Sequence, residues 1–160
     1  KMLSSKHTFA LTPADNAMVH GDKGMMKQLM RILLDNAIKY TPEGGSITLG
    51  MKNDGDVCVL SVEDTGAGIA PKDLGKIFDR FYRCEKSRQI KGSSVLGLAI
   101  SKQIVENMNG RIWAVSKEGA GTSIMITFKK HLTKGERHEN TFSRQSHLVS
   151  RRIQPPAATL

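Results

Sequence analysis

Met26, Leu29, Met30, Leu33, Leu34, Ala37 and Ile38 recur at i, i+3, i+4 and i+7, the spacing that lines one side of an α-helix with apolar groups. A stripe of that length must be covered, and this requirement constrains the fold more than any other feature. Asp22 stands where an N-cap belongs, and Pro42 with Gly44 and Gly45 stops the pattern. What flanks the helix alternates with period two. Residues 7–12 and 17–20 read as strands before it, and 46–51 and 57–63 as a hairpin around NDGD after it. Residues 71–81 predict one or two helical turns, and 85–94 a polar, mobile loop. A second helix is expected over 97–109, with Ile100, Ile104, Val105 and Met108 on one face and Gly110 just past its C-cap. Residues 111–116 and 122–128 read as the last two strands, joined by KEGAG. Strands and helices without regular βαβ alternation predict an α+β fold: a two-layer sandwich with helices on one face of a mixed sheet.

The 160 residues, 39% hydrophobic and 24% charged, suit one soluble domain with an ordinary core. We expect that domain over 1–130. Residues 131–160 are polar and basic, lack periodicity, end in PPAATL, and are expected to form a poorly ordered tail. No apolar run approaches the roughly 20 residues of a membrane helix, and no leader pattern opens the chain. A start at Lys1 rather than Met suggests a fragment of something longer. Cys58 and Cys84 cannot build a zinc site alone; a reduced, cytoplasmic setting without membrane contact is the expectation. The net charge of +9 is spread widely, and 5% aromatic residues offer few stacking platforms, so nucleic acid is not the expected partner. Arg80, Arg83, Lys86, Arg88 and Lys91 concentrate basic charge beside glycine-rich segments, which suits a polyphosphate.

DTGAGI (64–69) places an aspartate at a strand end with glycines that turn the chain away. A carboxylate there accepts a hydrogen bond from an exocyclic amine, or simply caps the next turn. On the first helix Asn36, Lys39 and Tyr40 share a face. An amide oxygen can complete a magnesium shell, a lysine can meet a phosphate, and a tyrosine can flank a base; the same residues also make an ordinary polar helix end. GSSVLGLAI opens the last helix, where free N–H groups attract phosphate. In IFDRFYR, Phe78 and Phe81 are expected to anchor the loop in the core, while Arg80 and Arg83 are either solvated or reach a terminal phosphate.

In order and spacing, these segments resemble the ATP-binding catalytic domain of bacterial two-component sensor histidine kinases, within the gyrase–Hsp90–kinase–MutL superfamily. The likeness spans roughly residues 7–128. LLDNAIKYTPEGG resembles the N box, VEDTGAGI the first glycine box, IFDRFYR the F box, VLGLAISKQIVENMNGRI the second glycine box and its helix, and EGAGTSIMITF the closing strand motif. The resemblance implies a Bergerat-type sandwich with ATP and Mg²⁺ under a lid loop. It implies that Asn36 ligates Mg²⁺, Lys39 contacts phosphate, Tyr40 flanks the nucleotide and Asp64 receives the adenine amine. Gly66 and Gly68 would shape the turn, and Arg83 would stand near the γ-phosphate. Ile69, Leu96, Gly97, Leu98 and Thr122 would complete the nucleotide pocket. The implied reaction passes the γ-phosphoryl group to a histidine on a dimerisation domain outside this chain, then to a response regulator; Asn36, Lys39 and Arg83 would serve it.

The sequence departs from the family pattern in places. Ile32 stands where a first asparagine is usual, and Ser93 and Val95 replace two glycines of the second glycine box. The ATPase relatives carry a water-activating glutamate at the position of Ile32, so hydrolysis is not expected. A degenerate domain that binds nucleotide weakly and acts through protein contacts is the alternative reading that these departures support.

Overall fold

A computed structural model describes residues 6–12, 18–84 and 96–130 of the chain. Five strands form one sheet: β1 (Thr8–Leu11), β2 (Ser46–Asp54), β3 (Val57–Asp64), β4 (Arg111–Lys117) and β5 (Gly121–Lys129), in the spatial order β1-β2-β3-β5-β4. β1 runs parallel to β2 and the remaining neighbours are antiparallel, so the sheet is mixed. Among the described residues three helices accompany it: α1 (Lys23–Tyr40), α2 (Pro71–Leu74) and α3 (Gly97–Asn107).

Successive side chains of a strand point to opposite faces, and here one face is apolar. Ile47 on β2, Leu60 and Val62 on β3, and Ile124, Ile126 and Phe128 on β5 share a buried cluster with Leu29, Leu33 and Ala37 of α1 and Ile104 and Val105 of α3. Each such side chain stabilises the fold by about 1.5–3 kcal/mol on burial. The opposite face carries Ser46, Thr48 and Glu63, with Trp113 and Val115 40% and 58% exposed. The result is the expected two-layer sandwich, with α1 and α3 packed on one face of the sheet.

The stripe on α1 buries its central positions as predicted, and Asp22 caps the helix by accepting the Met25 N–H at 2.7 Å, a contact worth about 1 kcal/mol. The hairpin forms around Gly55 and Asp56, with Gly55 at φ +55. Three expectations are corrected. Instead of a strand over 17–20, Val19 makes one isolated bridge to Lys130, and residue 17 lies outside the described residues. The residue that turns left-handed after α3 is Asn109 (φ +54), not Gly110. Its N–H reaches the Glu106 carbonyl, and that of Gly110 the Val105 carbonyl, the paired bonds that close a helix end in this way. Phe81 does not anchor anything in the core. It is 74% exposed at φ +66, whereas Phe78 does pack against the core. The loop over 85–94, with Ser93 and Val95, and the tail over 131–160 lie outside the described residues.

Candidate functional site

Two cavities flank the predicted residues. A groove of about 530 Å³ runs between α1 and the start of α3, lined by Asn36 and Lys39 together with Lys27, Arg31, Ile32, Asp35 and Gly97. It falls within the size range of small-molecule sites. Its wall is one side of α1 repeated at helical spacing, so Lys27, Arg31 and Lys39 bring three cations to one trough. A second cavity, of about 380 Å³, reaches onto the opposite face of the sheet: Ser46, Thr48, Glu63, Val115 and Ser123 line it together with Asp64, Ser116, Gly121 and Thr122, so it does not continue the groove. Tyr40 is not among the residues that line either cavity.

The groove-lining helix and the DTGAGI turn are joined through backbone. The Tyr40 carbonyl, at the C-terminal end of α1, accepts the Ala67 N–H at 3.3 Å. Gly66 lies so close beneath it that a Cβ would come within 2.4 Å of the same oxygen. Gly68 has φ +68, and a Cβ there would meet the Lys117 carbonyl oxygen at 2.0 Å. Both glycines let the chain turn tightly against the helix end and the β4–β5 connection.

Asp64 shares its face of β3 with the buried Val62 and pairs in register with Thr122, so its carboxylate emerges on the helix side of the sheet. Its Oδ1 accepts two backbone N–H groups, from Gly66 at 2.8 Å and from Thr122 at 3.3 Å. Burial pushes the Asp64 carboxyl above its ordinary value of 3.8, and these two hydrogen bonds oppose the shift. The remaining oxygen, Oδ2, is the acceptor that a ligand amine could use.

The other predicted residues divide. Gly97 is buried at the N-terminus of α3 and faces the groove. Leu98 packs against the core, while Leu96 is 39% exposed. Ile69 packs against the core and contributes its N–H to the Ser116 hydroxyl at 2.8 Å. Arg83 is half-buried, with its Nε shielded from solvent. Sequence reasoning missed Lys27 and Arg31, although their four-residue steps toward Asp35 and Lys39 placed them on one helical column. It also missed Ser116 and Gly121. For Ser116 no local signal existed, because it acquires partners only when β4 and β5 meet the end of β3.

Among the described residues no group of three or more His, Cys, Asp or Glu converges as a metal site. A magnesium ion carried on nucleotide phosphates keeps most of its water and needs only one or two protein oxygens. The Asn36 amide in the groove wall fits that requirement. No described helix is long and apolar enough to cross a membrane.

Residues 21–132 match the family described as histidine kinase-, DNA gyrase B- and HSP90-like ATPases. The sensor histidine kinase WalK of Bacillus subtilis is 42% identical over 118 residues, a stretch that covers 72% of this chain and 19% of that protein. Among solved structures, the mycobacterial sensor histidine kinase MprB superposes with a TM-score of 0.72 at 30% identity, over 79% of this chain and 86% of that one. The catalytic domain of the histidine kinase ThkA, in a nucleotide-free form, gives 0.67 at 28% identity over 78% and 79%. ThkA has also been solved in complex with the response regulator protein TrrA.

Proposed function

The chain belongs to the family of histidine kinase-, DNA gyrase B- and HSP90-like ATPases, and we propose that it works as the ATP-binding catalytic domain of a sensor histidine kinase. In that role it presents the γ-phosphoryl group of ATP to a histidine on a dimerisation domain outside these 160 residues. A response regulator receives the group afterwards, by analogy with the partner of ThkA.

The observation that carries this reading is the contact between the end of α1 and the glycine turn. The helix that bears Asn36 and Lys39 ends against the turn that begins at Asp64, through the Tyr40 carbonyl. A nucleotide lying along α1 would have its base at Asp64 and its phosphates toward Lys39 and the α3 N-terminus at Gly97, whose free N–H groups favour anions. Asn36 would hold Mg²⁺, Tyr40 would flank the nucleoside, and Ile69, Leu96, Leu98 and Thr122 would border it. Arg83 would approach the terminal phosphate. Magnesium would supply charge neutralisation on the phosphates. The chain supplies position: phosphoryl transfer needs alignment and electrostatic stabilisation more than covalent help from the protein.

Calorimetric titration of the chain with ATP and Mg²⁺, followed by phosphotransfer to a separately expressed acceptor-histidine domain of a relative, tests the proposal. Saturable binding and label on the acceptor histidine are expected. No heat at millimolar nucleotide would overturn it.

A further inference from the structure

The Ser116 hydroxyl joins three segments of chain. It accepts the Ile69 N–H at 2.8 Å, lies 2.7 Å from the Gly121 carbonyl oxygen and 2.9 Å from Thr122 Oγ1. A carbonyl carries no hydrogen, so the proton between Ser116 and Gly121 belongs to Ser116. A serine has only that one to give. The contact with Thr122 therefore needs the hydroxyl proton of Thr122, donated to Ser116. The Thr122 N–H is also committed, to Asp64 Oδ1. Both donors of Thr122 are thus spent inside the protein, and its hydroxyl oxygen can offer a ligand lone pairs alone. An ionised Asp64 is likewise only an acceptor.

We propose that Ser116 is a specificity-determining positioning residue. By fixing the direction of the Thr122 proton, it leaves Asp64 and Thr122 to meet position 6 of a purine with lone pairs alone, which favours 6-aminopurine over 6-oxopurine nucleotides. The inference rests on the proposed placement of the base at Asp64. An amine at position 6 donates to such a wall, whereas a carbonyl meets lone pairs with lone pairs and is left unpaired, the arrangement that gives strong discrimination. Ser116 need not touch the nucleotide for this. It acts through Thr122.

The test is competition between ATP and ITP, each with Mg²⁺, on the full 160-residue chain. The unaltered chain should prefer ATP. In Ser116→Ala the Thr122 hydroxyl turns freely and can donate to the 6-oxo group, so the ATP-to-ITP affinity ratio should fall about tenfold, as for one redirected hydrogen bond. Ser116→Thr keeps the hydroxyl and should restore the ratio. A merely structural serine would, on removal, weaken both nucleotides together and leave the ratio unchanged; that result overturns the proposal. Should Ser116→Ala fail to fold, Thr122→Val removes the directed oxygen itself and must also narrow the ratio, and an unchanged ratio there is equally fatal. Wild-type chain that binds neither nucleotide overturns the proposed function along with this inference. Wild-type chain that prefers ATP, with Ser116→Ala equally selective, overturns this inference alone.

Discussion

The Tyr40 carbonyl oxygen accepts the N–H of Ala67 at 3.3 Å, tying the last turn of α1 to the middle of the DTGAGI loop. Neither residue contributes its side chain to the contact. What it fixes is the distance between two other sets of side chains: Asn36 and Lys39 in the last turns of α1, and Asp64 at the end of β3.

Asp64 carries a cost to the free protein that its proposed ligand would repay. Burial raises its carboxyl above the ordinary value of 3.8, so the folded chain holds a proton that the unfolded chain has already released. Its contribution to stability is present in full below the ordinary value and is lost as pH climbs through the raised one. Asp64→Asn keeps an oxygen for the Gly66 and Thr122 N–H groups and removes the buried charge. The variant should melt at or above the wild-type temperature at pH 7 and should lose the pH-dependent decline in mildly acidic solution. It should also lose preference for ATP over ITP. Thermal melts across pH 4–8, paired with nucleotide competition, check both halves.

Lys39→Met removes a point charge from the groove while keeping a similar stem. A charge-assisted contact is worth about 1.5–3 kcal/mol, so ATP affinity should fall by about tenfold to a hundredfold. Adenosine, which has no phosphate, should bind both forms alike. Equal losses for ATP and adenosine would place Lys39 away from the phosphates.

Two of the five described glycines with positive φ, Gly55 and Gly68, lie in different surroundings and should respond differently to alanine. Gly55 (φ +55) has open space where a Cβ would stand, and Gly55→Ala should cost only the strain of the left-handed conformation, about 1 kcal/mol. Gly68 (φ +68) has the Lys117 carbonyl oxygen 2.0 Å from that point, so Gly68→Ala adds a backbone collision and should cost about 3 kcal/mol or more. Urea denaturation of both variants measures the difference.

Phe81→Ala should leave the denaturation midpoint within about 0.5 kcal/mol of wild type, because the ring is 74% exposed. Leu33→Ala, at 2% exposure in the cluster, should cost about 2–5 kcal/mol. Thiol labelling gives an independent check on burial. Cys58 is 2% exposed and burial raises its thiol, whereas Cys84 is half-buried, so native chain should react first at Cys84 and at Cys58 only on unfolding.

What the sequence revealed follows from the range of the interactions. The α1 stripe, the Asp22 cap and the hairpin are local, and each was legible from residues a few positions apart. Asn36, Lys39, Asp64, Gly66 and Gly68 are singled out by the order and spacing of several short segments, since each segment alone also reads as an ordinary helix end or turn. The Asp64–Thr122 pairing spans 58 residues, and Ser116 has a role only once that pairing exists. A serine in an alternating strand carries no mark of it. Phe81 departs from expectation for a different reason: aromatic composition predicts burial on average, but a left-handed backbone at φ +66 aims the ring outward. Gly110 was offset by one position, because asparagine, whose short polar side chain can hydrogen-bond locally, also tolerates that conformation.

The central claim is that one nucleotide spans Asn36 and Asp64, and amide NMR of the chain titrated with Mg²⁺ and a non-hydrolysable ATP analogue tests it most directly. Resonances over 36–40 and over 64–68 should shift together, with one dissociation constant, and Asp64→Asn should weaken both responses. Shifts confined to one segment, or two constants that differ beyond error, would contradict it.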